Sequence, residues 1–317
     1  MKWKKRGKIF TPGEQGLDWM QRRSQVPNTL VFANIVRVFF SCRGKRGNDG
    51  LDVARPAFVD FERKNFPNKI VKVSEEPILE LGKLGTFDEF GIMPSCVTKV
   101  NSLYYLYYLG WKRLASVPYD IAIGLAISSD GENFSKMGAG PVLGANLQEP
   151  FIQSTISNPI TVDSQRTVFF YMTGIKWLKD SNGKTESIYK IARAITKDGV
   201  TFDRTGAGCI RSIVEEECQA SPAVFRLSNR WHMYFSYRHG LDFRNSERGY
   251  RMGYAYSDDL ENWTRDDSQT GITISESSFD NEMICYPHIF ELDEKILMLY
   301  CGNDFGEDGF GLAELCK

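Results

Sequence analysis

Apolar and polar positions recur along the chain in five similar units. A proline opens a short apolar run in each unit, and the prolines follow one another every 63 to 67 residues, at Pro27, Pro94, Pro159, Pro222 and Pro287. A second, aromatic-rich run follows each proline, at Ile35–Arg43, Leu103–Trp111, Thr167–Gly174, Arg230–Arg238 and Lys295–Asn303. Repetition at one period indicates a supersecondary unit stacked against copies of itself.

The fourth unit shows how one repeat is built. Ser221–Leu227 is the apolar run, and Arg230–Tyr237 alternates large apolar with polar residues, which predicts a half-buried strand. Tyr250–Ser257 and Glu261–Arg265 supply two further strands, joined by a turn. In the second and third units an Asp-Gly pair occupies this turn, which is a strong hairpin signal. Each unit therefore predicts a four-stranded antiparallel sheet.

The units predict an all-β, five-bladed β-propeller that spans residues 1–317 as a single domain. The last unit ends after Gly309–Leu315, which leaves it one strand short. Lys8–Phe10 is expected to supply that strand, so the ring is closed by pairing of the two chain ends without exposed edges. The alternative is a sandwich or two stacked domains, and a regular fivefold period speaks against it.

Composition narrows the classes of function. The formal net charge is −1, with no basic excess for phosphate backbones, so nucleic acid is not an expected partner. The N-terminus lacks an apolar signal segment, and no run of about 18 apolar residues predicts a membrane span. Seven scattered cysteines without CxxC spacing favour a reduced, cytoplasmic compartment. Three histidines give no metal-ligand spacing, so no cofactor or metal is expected, although an axial ion held by backbone carbonyls or waters stays open. Oligomeric state is left undetermined.

Carboxylates recur at one register of the repeat. The residues five positions before the prolines are Arg22, Glu89, Ser154, Glu217 and Glu282, and Asp88, Glu216 and Asp280 lie close by. In a propeller these positions are expected to ring one mouth of the axis, and carboxylates held together push their pKa values apart. One acid can then stay protonated beside an ionised partner, as glycoside hydrolysis requires. The alternative is that individual members are solvated turn residues.

Aromatic and polar residues at the strand ends are candidates for binding a sugar. Stacking and hydrogen bonding to hydroxyls, a carboxylate or a phosphate are the expected contributions. The alternatives are blade packing for the tryptophans and salt bridges for the arginines. The candidates are Arg43, Trp111, Trp177, Arg238, His239, Tyr286, His288, Asn303 and Asp304.

Several segments resemble the five-bladed β-propeller glycosidase superfamily, which includes arabinanase, invertase-like and mannoside-phosphorylase groups. The closest resemblance is to glycosidase-like proteins of bacterial surface-polysaccharide gene clusters. The segments are Gly85–Ser95, Tyr254–Trp263, Phe279–Pro287 and Gly309–Glu314. Glu217-Cys218 is similar to the Glu-Cys pair that carries the acid/base in invertase-like enzymes. Members of the superfamily place a catalytic aspartate in the first blade, whereas Ser24–Asn28 contains no carboxylate.

The resemblance and the carboxylate register together imply a glycoside hydrolase acting on a bacterial polysaccharide, oligosaccharide or activated sugar precursor such as a sugar nucleotide. Glu217 is the candidate acid, Asp88 or failing that Glu282 the base or nucleophile, and Asp280 tunes the acid, with Glu89 in the same ring. Two alternatives stay open: a phosphorylase or transferase with Arg43, Arg238 and His239 holding phosphate, and a glycan-binding propeller without catalysis. The sequence does not specify the sugar, the linkage or the stereochemical outcome.

Overall fold

The protein is built almost entirely from antiparallel β-strands. The computed structural model describes residues 1–46 and 52–316, apart from the side chains of Ser154, Thr205 and Ala207. Within this part the strands, in chain order, are β1 (Trp3–Phe10), β2 (Arg22–Val31), β3 (Ile35–Arg43), β4 (Arg55–Glu62), β5 (Ile70–Val73), β6 (Gly91–Val100), β7 (Leu103–Lys112), β8 (Asp120–Ser128), β9 (Ser135–Lys136), β10 (Ile152–Ile156), β11 (Ile160–Asp163), β12 (Arg166–Lys179), β13 (Thr185–Thr196), β14 (Asp203–Gly208), β15 (Cys218–Leu227), β16 (Arg230–Arg238), β17 (Arg251–Ser257), β18 (Thr264–Arg265), β19 (Cys285–Leu292), β20 (Lys295–Cys301) and β21 (Phe310–Leu315).

Helical structure in the described residues is confined to single turns. Three are 3₁₀ turns, at Pro12–Gln15, Arg63–Asn65 and Asp267–Gln269, and one is a short α-helix, α1, at Asn303–Gly306. No helix in the described part of the chain is long and apolar enough to cross a membrane.

Neighbouring strands pair as up-and-down meanders. Meander I is β2-β3-β4-β5, meander IV is β15-β16-β17-β18, and meander V is β19-β20-β21 with β1 at its edge. The remaining strands form one nine-stranded sheet, in which β9 and β11 pair to the side of the main strand order, and it divides into meander II (β6 to β9) and meander III (β10 to β14). Only the pair Ile152 and Ile121 joins β10 to β8 in the described pairing, so the division falls there.

The N-terminal strand belongs to the sheet formed by the C-terminal end of the chain. β1 pairs antiparallel with β21, so Lys8 lies opposite Gly311 and Phe10 opposite Phe310. The predicted pairing of Lys8–Phe10 with Gly309–Leu315 is therefore present. Phe10 also stacks on Phe310 and packs against Phe40 of meander I, with ring centroids 5.3 and 4.9 Å apart. The two chain ends thus share one apolar core with the first meander.

Three hairpin turns are capped by an aspartate in the same way. Asp130, Asp198 and Asp259 each accept backbone N–H groups of the second and third residues that follow them, at 2.8 Å. Each also hydrogen-bonds a hydroxyl two residues upstream, on Ser128, Thr196 or Ser257. Hydrogen bonds from the two backbone N–H groups are the main cause that lowers the pKa of Asp198 to about 2. The Asp-Gly turns that the sequence predicted are thus built around a carboxylate.

The inner strands are irregular at the repeated prolines. The ladder slips between Gln25 and Asn28 in β2, between Ala220 and Ala223 in β15, and between Cys285 and His288 in β19. The residue before each of these prolines is in the left-handed region, with φ of 55° at Val26, 51° at Ser221 and 56° at Tyr286. Bulges of this kind re-aim side chains, and they turn Val26 and Tyr286 into the cavity described below.

Candidate functional site

All five meanders contribute to one cavity, called here the shared cavity. It has a volume of about 340 Å³ and lies where the second strands β3, β7 and β16 end. The lining residues are Arg23, Gln25, Val26, Arg43, Met93, Leu109, Trp111, Pro118, Tyr119, Ile121, Gln153, Lys184, Thr185, Glu186, Tyr189, Arg238, Phe243, Arg244, Tyr250, Tyr286 and Phe305. A cavity of this size, with aromatic walls and a few polar groups, is typical of a small-molecule site.

Arg43 ends β3 and is only 5% exposed. Its Nη1 donates to Gln25 Oε1 at 2.6 Å, and its Nε lies 3.3 Å from Asp52 Oδ2 without forming a well-directed hydrogen bond. Burial, together with the neighbouring Arg23, lowers the pKa of Arg43 to about 10, and Asp52 offsets part of this effect. Asp52 is itself shared, since Arg22 Nη2 lies 2.5 Å from its Oδ1. Arg43 is therefore a buried cation that is incompletely compensated.

Arg238 ends β16 and is equally buried. Its Nε donates to the Tyr189 hydroxyl at 3.1 Å, and its Nη1 donates to the carbonyls of His239 and Gly240 at 2.8 and 3.2 Å. The guanidinium stacks on Phe243, 3.5 Å from the ring centroid. Within residues 1–46 and 52–316 no carboxylate forms an ion pair with it. Arg238 is thus held by neutral groups, which fixes its position and leaves its charge unmatched.

Glu186 is the one carboxylate among the described lining residues. It sits on the hairpin of β12 and β13, opposite Leu178, and this hairpin continues beyond the sheet toward the cavity. Arg244 Nη1 and Lys184 Nζ lie 2.6 and 2.9 Å from Glu186 Oε1. Burial alone would raise the pKa of Glu186, but the hydrogen bonds from Arg244 and Lys184 outweigh it and hold the pKa below its ordinary value. The carboxylate is therefore ionised near neutral pH.

Aromatic rings form one wall of the cavity. The rings of Trp111 and Tyr119 meet edge to face at 6.2 Å, and Tyr119 in turn meets Trp177 at 5.2 Å. A Cβ added to Gly91 would lie 1.6 Å from Trp111 Nε1, so only glycine leaves room for this indole. Trp111 thus lines the cavity, where its sugar-stacking role stays a prediction, whereas Trp177 lies outside the lining and packs on Tyr119.

Tyrosine hydroxyls meet at the base of the cavity. The Tyr189 and Tyr250 hydroxyls hydrogen-bond each other, and Tyr286 packs on Tyr250 with ring centroids 5.6 Å apart. Burial raises the pKa values of all three tyrosines. These phenols therefore stay protonated and able to donate hydrogen bonds.

The predicted ring of catalytic carboxylates does not line this cavity. Glu217 is 1% exposed, and its carboxylate accepts from Arg265 Nη1 at 2.7 Å and Gln219 Nε2 at 2.7 Å. Glu89 is half-buried and accepts from the backbone N–H of Gly85. Glu282 is exposed. The expectation that the three glutamates surround one cavity is therefore wrong. The cavity-lining positions precede the prolines by only one or two residues at Gln25, Val26, Met93 and Tyr286.

Asp88 and Asp280 have structural partners of their own. Asp88 is buried and pairs with Lys136 of β9 at 2.5 Å, and buried Asp280 pairs with Lys5 of β1. Each buried carboxylate meets a cation on the outermost strand of its own meander, as Glu217 does with Arg265 of β18. Neither Asp88 nor Asp280 lies in the shared cavity or at its described rim.

Glu149 completes this set in meander III. It is 1% exposed, pairs with Arg204 of β14 at 3.0 Å and accepts from the Tyr171 hydroxyl at 2.5 Å. Tyr108 donates to Asp88 in the same way, at 3.1 Å. Four meanders thus each pair a buried carboxylate, 5 to 10 residues before the proline, with a cation on their edge strand. We call the pairs Asp88–Lys136, Glu149–Arg204, Glu217–Arg265 and Asp280–Lys5 the edge straps.

The other predicted binding residues divide between the cavity and its surroundings. Arg43, Trp111, Arg238 and Tyr286 line it. Asn303 Oδ1 accepts from the backbone N–H groups of Glu282 and Met283, which is a loop-bracing role. His239 and Asp304 lie outside the lining, and Asp304 is exposed. The side chain of Ser154 is outside the described part.

His288 lies in a second, narrow cavity rather than in the shared one. This cavity has a volume of about 20 Å³ and runs between the inner strands, past Pro27, Pro222 and Pro287. His288 Nε2 accepts from the backbone N–H of Thr29 at 3.1 Å and lies 2.9 Å from its hydroxyl. Burial lowers the pKa of His288 to about 3. The residue is thus a neutral link between meanders V and I.

Sequence reasoning missed the residues on the long hairpin. The predicted strand stopped at Gly174, whereas β12 continues to Lys179, which places Lys184 in the connecting turn and Glu186 on the returning strand β13. Asn182-Gly183, a strong hairpin-turn pair, was the available signal. Gln153, Tyr119 and Arg244 carried no comparable pattern. Among the described residues no cluster of three or more His, Cys, Asp or Glu side chains is arranged to hold a metal ion.

Comparison with known proteins identifies relatives of the whole chain. The uncharacterised proteins Rv1502 and MT1551 of Mycobacterium tuberculosis, strains ATCC 25618 / H37Rv and CDC 1551 / Oshkosh, are each 30% identical over 318 residues, covering 99% of both chains. No protein-family model matches the chain.

Solved structures share the fold at low sequence identity. A glycoside hydrolase superposes with a TM-score of 0.75 and 15% identity, covering 99% of this chain and 91% of the other. A thermostable family-43 glycoside hydrolase gives a TM-score of 0.65 and 12% identity, covering 93% and 90%. An exo-1,5-α-L-arabinanase from a bovine ruminal metagenomic library gives 0.62 and 11%, covering 92% of each. The resemblance to β-propeller glycosidases is confirmed at the level of the fold.

Proposed function

The chain belongs to the same family as Rv1502 of Mycobacterium tuberculosis, and from this and its glycoside hydrolase fold we propose that it acts on glycans in the shared cavity. Meanders I to V are, in this proposal, the five blades of one closed propeller over residues 1–317. Pairing of β1 with β21 and the cavity common to all five meanders support it. The seven free cysteines fit a cytoplasmic location.

The observation that carries the proposal is the composition of the shared cavity. An aromatic wall offers a face for a sugar ring, and amide, phenol and guanidinium groups offer partners for its hydroxyls. Gln153 is buried, and its Oε1 has no hydrogen-bond partner, so it is available to accept from a ligand hydroxyl. The substrate class is a bacterial polysaccharide, an oligosaccharide or an activated sugar precursor.

Glycosidic-bond hydrolysis in this cavity assigns Glu186 the role of proton acceptor. Water attacks the anomeric carbon and passes a proton to the ionised carboxylate, while the departing oxygen takes a proton from solvent. Tyr189, Tyr250 and Tyr286 retain their protons and hydrogen-bond the sugar. A positioned acid or base contributes about 10²–10⁴-fold to rate.

The test is a turnover screen with Glu186→Gln as the diagnostic variant. Wild type is incubated with nucleotide sugars, lipid-linked oligosaccharides and aryl glycosides, and released sugar is measured. We expect Glu186→Gln to bind the cleaved compound within about threefold of wild type and to lose at least 10²-fold in turnover. Full activity of Glu186→Gln refutes this assignment. Glu282→Gln is the control, because Glu282 is exposed and outside the cavity.

Glycan binding without cleavage is the second candidate. Glycoside hydrolysis ordinarily uses two carboxyl groups, whereas the described lining offers only Glu186, already paired with Arg244 and Lys184. Under this alternative, a glycan binds to wild type and Glu186→Gln alike, and no product forms on prolonged incubation.

A further inference from the structure

The charge of the shared cavity is strongly one-sided. Five cationic side chains line it, from Arg23, Arg43, Lys184, Arg238 and Arg244, against one lining carboxylate, that of Glu186, while Arg23 also pairs with Glu307 outside the lining. A neutral sugar needs no such excess, because its hydroxyls are satisfied by neutral donors and acceptors as well as by charged ones. Walls of one charge in a cleft concentrate ligands of the opposite charge.

Two of these cations are buried without adequate compensation. Arg43 Nε is a buried donor without a hydrogen-bond partner, and its nearest carboxylate, that of Asp52, is 33% exposed and shared with Arg22. Arg238 has no carboxylate partner in the described chain and is fixed by a phenol, two carbonyls and the Phe243 ring. Buried charges are costly unless they are paired. A ligand anion would supply the partner that both guanidiniums lack.

We propose that the shared cavity recognises a sugar bearing an oxyanion, a carboxylate or a phosphoryl group, which Arg43 and Arg238 bind while Trp111 and Gln153 contact the ring. This inference rests on the proposed glycan function. Guanidinium groups match the two-oxygen edge of carboxylate and phosphate. Gln153 Oε1 is a buried, unpartnered acceptor and suits a sugar hydroxyl. Asp52, which is partly exposed, is the group that an incoming oxyanion would replace beside Arg43.

Calorimetric titration tests the proposal with matched probes. The anionic sugars are galacturonic acid, glucuronic acid and glucose 6-phosphate, the neutral matches are galactose and glucose, and inorganic phosphate is a sugar-free anion. We expect at least one anionic sugar to bind tenfold more tightly than its neutral match, with affinity that falls as salt rises. The uronic acids and glucose 6-phosphate distinguish carboxylate from phosphoryl recognition. If inorganic phosphate binds only when a neutral sugar is present, the same subsite holds free phosphate.

Variants separate charge recognition from folding. Arg43→Gln removes the charge, and Arg238→Lys retains it but loses the planar fork. Each is expected to weaken binding of the anionic probe at least tenfold and of its neutral match less than threefold. Arg230→Gln, an exposed cation outside the cavity, is the control. Thermal melting confirms that each variant is folded, and Arg43→Gln suffices if Arg238→Lys does not fold.

Two failures have different meanings. Equal affinity for anionic and neutral sugars, unchanged by Arg43→Gln, overturns the oxyanion proposal and leaves the glycan function standing. No binding by any sugar or anion in the panel overturns both.

Discussion

The edge straps and the shared cavity treat charge in opposite ways. In the edge straps each buried carboxylate meets a cation at hydrogen-bond distance, as Glu217 meets Arg265 and Glu149 meets Arg204. In the shared cavity Arg238 is buried beside neutral groups, and Arg43 shares a partly exposed Asp52 with its neighbours. Matched charges join strands, whereas unmatched charges at a cavity mark a place for a ligand.

This difference explains why a carboxylate register is not by itself a catalytic signature. Of the three glutamates in the register only Glu217 belongs to a strap, and there it binds Arg265 of the edge strand rather than facing the cavity. The cavity combines repeated and unrepeated positions, since Arg43 and Arg238 both end second strands, whereas Glu186 comes from the β12–β13 hairpin alone.

Breaking an edge strap is expected to have the largest effect. Glu217→Gln leaves the buried Arg265 with Asp267 as its remaining carboxylate partner, so the free energy of unfolding should fall by about 3 kcal/mol. Urea denaturation measures it. The exposed Glu282→Gln should change it by less than about 0.5 kcal/mol. If Glu217→Gln is as stable as wild type but loses glycan turnover, Glu217 belongs to the site after all.

His288 extends the comparison to a buried group that must stay uncharged. Its folded-state pKa of about 3 lies below the ordinary value near 6.5. The stability contributed by the neutral imidazole is therefore complete above pH 6.5 and is lost as pH falls toward 3. Between pH 7 and pH 4, wild type should lose about 3 kcal/mol of unfolding free energy relative to His288→Gln. Denaturant titrations of both proteins across this range provide the measurement, and parallel pH profiles would contradict the prediction.

The cavity wall can be disturbed without touching any charge. Gly91→Ala places a Cβ against the Trp111 indole, which should cost about 1–3 kcal/mol of stability and weaken sugar binding severalfold. Gly138→Ala is the matched control, because a Cβ there meets no atom within 4 Å. Unchanged melting and binding in Gly91→Ala would show that Trp111 moves freely and does not define the wall.

Removing an unmatched cavity charge is expected to have the smallest effect on stability. Burial lowers the pKa of Arg43 to about 10, so its charged form is disfavoured by its surroundings. Arg43→Gln should leave the free energy of unfolding unchanged or raise it by up to about 1 kcal/mol. Denaturation in guanidinium chloride measures the free energies of unfolding of Arg43→Gln and Glu217→Gln side by side. A loss above about 2 kcal/mol would place Arg43 with the structural charges.

The sequence predicted many strand boundaries well because alternation and turn chemistry are local. Ile35–Arg43 and Arg230–Arg238 coincide with β3 and β16, and the Lys8–Phe10 pairing with the last strand is present. Arg43, Trp111, Arg238 and Tyr286, which the sequence proposed for sugar binding, line the shared cavity, and their binding role stays a prediction. The partner of a carboxylate was not predictable, because Lys5 is 275 residues from Asp280 in the chain.

The sequence by itself determined the repeat, the all-β class and the strand ends that carry polar side chains, because these follow from periodicities of a few residues. Only the tertiary structure decided which charges are satisfied. Edge straps join residues on strands that the chain visits far apart, and the β12–β13 hairpin brings Glu186 to a cavity built from all five meanders. Compensation of a charge depends on distance and burial, and both are properties of the folded chain.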